Sequence, residues 1–239
     1  MKLDILAFAA HPDDVELGAS GTLIKHIDNG LKVGIVDLTR GELGTRGTAD
    51  LRDEEAKRSS EIMGLAVREN LGFRDGFFQN DEEHQLRIVE MIRKYRPRIV
   101  LANAVSDRHP DHGKGADVVR TAGFLSGLPK VKTEFQGKEQ AAHRPELALH
   151  YIQFNSLTPD IIIPFGEEVM ERKMKVVEAF SSQFYDPNSD EPETVISSKN
   201  FLDSVRYRAA DMGRMVGAPF GEGFTSEHLL KVEALDHLV

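Results

Sequence analysis

Apolar and polar positions alternate in blocks along the first hundred residues. Lys2–Ala9 is a short apolar run that predicts a buried strand. Val15–Asn29 places Leu17, Leu23, Ile24 and Ile27 at helical spacing, with Gly30 as the C′ residue. Leu31–Leu38 is the next strand, Arg40–Thr48 a glycine-rich loop, and Asp50 a cap for a helix running to Met63 before Gly64. A short strand near Val67–Leu71 follows. Asp81 then caps a helix over Glu82–Tyr95 that Pro97 ends, and Arg98–Ala102 is again a buried strand.

This strand–helix alternation predicts an α/β fold: a Rossmann-like, doubly wound, mostly parallel sheet between two helical layers, with right-handed crossovers. The second half is less periodic. Gly127–Pro145 is polar and irregular, Glu146–Phe154 and Asp160–Pro164 read as strands, and Glu167–Phe180 and Phe201–Val216 read as helices. Glu227–Leu235 reads as a late strand. There is no repeat, low-complexity tract or linker, so one domain over residues 1–239 is expected.

Composition narrows the chemistry. The chain has 239 residues, 40% hydrophobic and 29% charged, as in an ordered globular protein. Its net charge of −9 argues against a broad nucleic-acid or anionic-lipid face. No cysteine is present, which excludes disulfides, thiolate catalysis and cysteine-based zinc sites; any metal must use histidine and carboxylate ligands. The apolar Ile5–Ala10 run is too short for a signal-peptide core, and no run approaches the roughly 20 residues that span a bilayer. A cytoplasmic enzyme without a membrane or nucleic-acid partner is expected.

Two clusters carry chemistry: Ala10-His11-Pro12-Asp13-Asp14 and Arg108-His109-Pro110-Asp111-His112. Each follows a buried strand, the first and the fourth. In a 3-2-1-4 order those strands are neighbours at the topological switch point, where ligands bind beyond the strand carboxyl ends. The spacings His11 to Asp14 and His109 to His112 are both i, i+3, so each pair can converge on one face of a turn. Six such groups at one crevice would repel or stay unsatisfied unless an ion organised them. Taken singly, a histidine after a strand is a solvated loop residue and Asp-Asp a helix cap; the pairing makes a metal site. His26 and His84 lie in helical stretches, and His143, His150, His228 and His237 lack companions, so none is a candidate ligand.

Two histidines and a carboxylate also form the facial triad of non-haem iron(II) oxygenases, which oxygen and 2-oxoacid dependence would reveal. A dinucleotide- or sugar-binding module without chemistry is the non-enzymatic rival, but HPDD stands where GxGxxG would follow the first strand. Arg40, Arg46, Arg52, Arg74 and Arg108 fall near strand carboxyl ends and suit an anionic substrate group.

The segments AHPDDVELGASGTL, LTRGELGTRGT, RDGFF, RHPDH and YRAADMGRMVGAPFGEGF together resemble the PIG-L/LmbE-like zinc deacetylases, along essentially the whole chain. The resemblance implies removal of an acetyl group from an N-acetylglucosamine derivative. It is nearest to the branch that deacetylates N-acetylglucosaminyl-malate in bacillithiol synthesis. It further implies His11, Asp14 and His112 as ligands of Zn2+ (or Fe2+), and Asp13 as general base. His109 would be the imidazole that stabilises the transition state or protonates the amine, with Asp111 orienting it. Arg52 and Asp75 would contact sugar hydroxyls, Arg108 would bind substrate, and a homo-oligomer is implied. A related deacetylase or an amidase acting on another N-acetylated sugar or a thiol conjugate is the alternative.

Overall fold

The computed structural model describes residues 1–235. Apolar runs bounded by turns form β1 (Ile5–Ala9), β2 (Val33–Thr39) and β4 (Ile99–Ala102), and the mixed, half-buried VRENLGF segment forms β3 (Val67–Phe73) at the sheet edge. Between them lie α1 (Asp14–Asp28), α2 (Ala49–Met63) and α3 (Glu82–Tyr95). These strands are parallel: Ala7 of β1 lies opposite Ile35 of β2 and Leu101 of β4. α4 (Pro110–Ser126) leads past a two-stranded ribbon, β5 (Glu134–Phe135) and β6 (Lys138–Glu139), to β7 (Leu147–Tyr151), which pairs in parallel with β4. β8 (Ile161–Phe165), α5 (Glu167–Glu178), α6 (Lys199–Met215) and β9 (Phe220–Thr225) complete the order. The sheet runs β3-β2-β1-β4-β7-β9-β8, with β9 antiparallel to both neighbours. The α/β class and the 3-2-1-4 core are as expected.

Alternation along β1 divides the interior. Leu6, Phe8 and Ala10 pack with Ile88, Val89 and Ile92 of α3 and Val118, Val119 and Ala122 of α4. Ile5, Ala7 and Ala9 pack with Val15, Ala19, Leu23 and Ile24 of α1 on the other face. A third cluster joins α5 and α6 through Met170, Val177, Phe201 and Val205. No helix among the described residues is long and apolar enough to cross a membrane.

Several expectations need correction. Thr48, not Asp50, caps α2, its hydroxyl accepting from the Leu51 amide at 3.2 Å; Asp50 sits in the first turn and pairs with Arg40. α4 did not stand out because Gly113, Gly115 and Gly123 dilute its pattern, yet Pro110 is pre-set for a first helical turn. The late strand over Glu227–Leu235 is not formed: residues 226–235 carry no strand, and the sheet position is taken earlier by β9. Its FGEGFT sequence reads as a loop because its glycines serve close approach. A Cβ on Gly213 of α6 would lie 2.6 Å from the Phe220 backbone, so helix and strand meet main chain to main chain. His237 lies outside the described residues.

The charged position in β9 is Glu222, which reaches into α1. The Gly21 and Thr22 amides donate to its carboxylate at 2.9 and 2.7 Å. Lys173 of α5, only 1% exposed, donates to Glu222 Oε1 (2.7 Å) and to the Glu16 and Leu17 carbonyls (3.0 and 2.8 Å). An ion pair from two distant elements is thus spliced into the hydrogen bonding of the first helix. Removing one member strands the other without compensation. Lys173→Met is expected to lower unfolding stability by about 3–5 kcal/mol, read from urea denaturation midpoints.

Candidate metal centre and active site

The site lies beyond the carboxyl ends of β1 and β4, centred on the buried carboxylate of Asp14. His11 leaves β1, Pro12 stiffens the turn, and Asp13 holds φ 120°, a conformation that L residues rarely adopt. That turn returns the chain so that Asp14 opens α1. Asp14 Oδ2 accepts the His11 amide and Asn103 Nδ2, both at 2.9 Å, and Oδ1 accepts Gln153 Nε2 at 2.9 Å. Asn103, just past β4, also accepts the Ala10 amide at 2.8 Å and donates to Gln153. Residues at the ends of three strands therefore fix one carboxylate.

Two imidazoles face it, each held from behind by other carboxylates. His112 Nε2 is 3.0 Å from Asp14 Oδ1, while its Nδ1 is 2.8 Å from Asp107 Oδ2. His11 Nδ1 is 3.6 Å from Asp14 Oδ2, while its Nε2 is 3.0 Å from Asp75 and 3.5 Å from Asp111. A carboxylate on the far nitrogen fixes the tautomer and leaves the near nitrogen basic, as metal-ligating histidines require. Charge tells the same story. Burial alone would lower both histidine pKa values, but the carboxylates outweigh it and push His112 up to about 9 and His11 well above its usual value. The buried Asp14, facing both rings, is held below the usual carboxylate range, and Asp107 at about 2. Four carboxylates around two imidazoles are short of positive charge. A divalent cation in place of the histidine protons meets that demand, so the donor set fits a metal ion.

The ring nitrogens of His11, His109 and His112 lie within 4.8 Å of one another, as do the donor atoms of His11, Asp75 and Asp111. His109 caps α4, its Nδ1 accepting the Asp111 amide at 3.3 Å. Burial and the neighbouring His11 and His112 charges lower its pKa. The expected orienting of His109 by the Asp111 side chain is not found. That carboxylate instead binds Lys114 Nζ (2.9 Å) and the Gly76 amide (2.8 Å) and faces His11, so it reaches His109 only through its main chain. Neutral His109 with Nδ1 occupied presents an Nε2–H donor.

A cavity of about 580 Å³ opens over this cluster. Asp13 lines it, 6% exposed, with Oδ2 3.8 Å from Arg52 Nη1. Burial raises the Asp13 pKa to about 7, with Arg52 opposing and the Asp14 charge adding to the rise. The glycine-rich loop is moulded to Arg52: Gly41 has φ 63°, and a Cβ there would fall 2.4 Å from Arg52 Nη1. Asp75 lines the cavity too, but its oxygens already serve His11 and the Leu43 amide. Of the five arginines noted in the sequence, Arg46, Arg52 and Arg108 line the cavity. Arg46 Nε donates to the Ser182 carbonyl, Arg40 pairs with Asp50 and Asp53, and Arg74 lies over Phe77. Sequence reasoning missed Asn103, Asp107, Gln153 and Arg208. Asn103, Asp107 and Gln153 follow apolar runs closely, which is a usable signal for groups at strand ends.

The chain matches the family profile described as PIG-L, GlcNAc-PI de-N-acetylase, over residues 6–123. It is 32% identical over 237 residues to a diacetylchitobiose deacetylase from Thermococcus kodakarensis, covering 92% of this chain and 81% of the relative. It is 25% identical over 198 residues to a probable N-acetyl-alpha-D-glucosaminyl L-malate deacetylase 2 from Bacillus anthracis, covering 75% and 81%. Among solved structures, a conserved protein from Thermus thermophilus superposes with a TM-score of 0.84 at 33% identity, covering 97% of this chain and 98% of that one. The chain belongs to the PIG-L family and is a deacetylase, a hydrolase of N-acetyl amide bonds.

Asp107 provides a direct check on the candidate metal centre. Asp107→Asn keeps the shape but weakens the hold on His112 Nδ1. It is expected to reduce zinc affinity roughly 10- to 100-fold in a competitive chelator titration, with the circular dichroism spectrum unchanged.

Proposed function

We propose that this protein hydrolyses the acetamide of an N-acetylglucosamine derivative, with Zn2+ at His11, Asp14 and His112, releasing acetate and a free amine. One observation carries the reading: the strained turn at Asp13 sets two neighbouring carboxylates to different tasks. Asp14 is enclosed by two imidazoles and two amides, whereas Asp13 lines the cavity beside Arg52. A ligand and a base one residue apart suit attack of water on an amide carbonyl.

When bound, the cation supplies Lewis-acid polarisation of the carbonyl and a more acidic water. The chain's own groups do the rest. Arg52 steadies the Asp13 carboxylate until Asp13 accepts the proton of the attacking water. The His109 Nε2–H donates to the oxyanion that forms as the carbonyl carbon becomes tetrahedral. The C–N bond then breaks, Asp13 returns its proton to the nitrogen, and the amine leaves as acetate forms. Arg52 and Asp75, which both line the cavity, would contact the sugar hydroxyls.

The finer reading names N-acetylglucosaminyl-malate as substrate, in bacillithiol synthesis. The sequence resemblance and the Bacillus anthracis relative support it, while the Thermococcus kodakarensis relative favours a neutral disaccharide. Acetate release decides between them, measured with N-acetylglucosaminyl-malate, N,N'-diacetylchitobiose and free N-acetylglucosamine on metal-stripped and zinc- or iron(II)-restored protein. Metal-dependent release with preference for the malate conjugate is expected; release from none of the three, with metal bound, would sink the substrate class. Asp13→Asn is expected to lower kcat about 10²- to 10⁴-fold without loss of bound zinc, the latter read by elemental analysis.

A further inference from the structure

One cation in the cavity is unaccounted for by the reaction. Arg208 of α6 lines it, is largely withdrawn from solvent, and makes no hydrogen bond or ion pair among the described residues. Burial accordingly lowers its pKa, with Asp107 the opposing charge. Asp107 makes no hydrogen bond to it, because its oxygens are engaged elsewhere. Oδ1 of that carboxylate accepts the Arg108 and Asn155 amides (2.8 and 2.9 Å), and Oδ2 accepts His112 Nδ1 and the Phe154 amide (2.8 and 3.2 Å). On its other side Arg208 borders a small cavity shared with Lys173, a second cation, which already has Glu222 as partner.

The wall around it repeats this pattern of cation and ring. Phe201 lies seven residues before Arg208, on the same face of α6, and also lines the cavity. Phe154 stacks on Phe201 with centroids 6.0 Å apart, and the Arg108 guanidinium sits 5.0 Å over the Phe154 ring. Arg108 likewise has no carboxylate partner among the described residues. Two guanidinium groups thus flank an aromatic pair on one wall, in a chain whose net charge is −9. A sheltered guanidinium without a hydrogen-bonded partner costs stability, and planar bidentate donors match an oxyanion.

We infer that Arg208, with Arg108 across the Phe154–Phe201 pair, forms an oxyanion subsite that selects substrates whose sugar carries a carboxylate or phosphate substituent. This rests on the deacetylase reading for the sugar and its acetamide, and adds a specificity-determining residue. The bound oxyanion supplies the direct acceptor that Asp107 does not, and the rings cover the apolar part of the substituent.

The test compares wild type, Arg208→Gln and Arg208→Lys, all zinc-loaded. The substrates are N-acetylglucosaminyl-malate, N-acetylglucosamine 1-phosphate and neutral N,N'-diacetylchitobiose. Loss of one charge-assisted contact should lower the anionic-to-neutral ratio of kcat/KM roughly 10- to 100-fold in Arg208→Gln, mainly through KM, with partial recovery in Arg208→Lys. Whichever anionic substrate shows the larger drop names the oxyanion. An equal fall for anionic and neutral substrates would mean a structural role and overturn the inference, as would an unchanged ratio. Calorimetric titration of malate and of inorganic phosphate separates this outcome from failure of the deacetylase reading. If no substrate releases acetate, weaker binding of either anion to Arg208→Gln than to wild type still upholds the subsite, and equal or undetectable binding to both removes it.

Discussion

A single ionised carboxylate kept inside the protein is the constraint on which this structure turns. Asp14 is 3% exposed, and an isolated charge at that depth would take a proton rather than persist. It persists because donors reach it from the ends of three strands: His11 after β1, Asn103 after β4 and Gln153 after β7, joined by His112 from the first turn of α4. The requirement runs outward. His112 needs Asp107 behind it, His11 needs Asp75 and Asp111, and those carboxylates in turn take amides from Leu43, Gly76, Phe154 and Asn155. The loops over the sheet are thereby set by the electrostatics of one group at the switch point.

The parallel core was legible in the chain because β1, β2 and β4 are buried on both faces, and continuous apolar runs are a clear signal of that state. The two histidine–aspartate clusters were legible for a different reason: strand order alone brings the ends of β1 and β4 together. β9 was hidden because two glycines and a glutamate separate its buried Phe220 and Phe224, and these serve close backbone approach to α6 and an ion pair with Lys173. Neither purpose leaves an alternating pattern. Asp111 shows how spacing misleads in detail. Two residues from His109 in sequence, it is directed by the first turn of α4 toward His11 and Lys114 instead. Arg208 sits among alanines in a helix, and nothing local distinguishes a guanidinium facing a cavity from one facing water.

Strain and fit at the site are concentrated where the chemistry is. Asp13 occupies a backbone conformation usually left to glycine, and the Gly41 loop has no room for a side chain above Arg52. The first feature aims a carboxylate into the cavity; the second lowers a loop onto the guanidinium beside it. Both trade backbone comfort for the placement of a cavity-lining carboxylate beside its counter-charge.

The ion pair between Lys173 and Glu222 bears on how the molecule comes together during synthesis. The Gly21 and Thr22 amides and the Glu16 and Leu17 carbonyls, all in the helix that Asp14 opens, are held by side chains that the ribosome adds about 150 and 200 residues later. A nascent chain ending after α4 would possess every histidine and aspartate of the metal cluster, yet its first helix would lack the partners of those groups. The helix that Asp14 opens is therefore fully bonded only once β9 has been made, although His11, Asp14, His109 and His112 all precede α5.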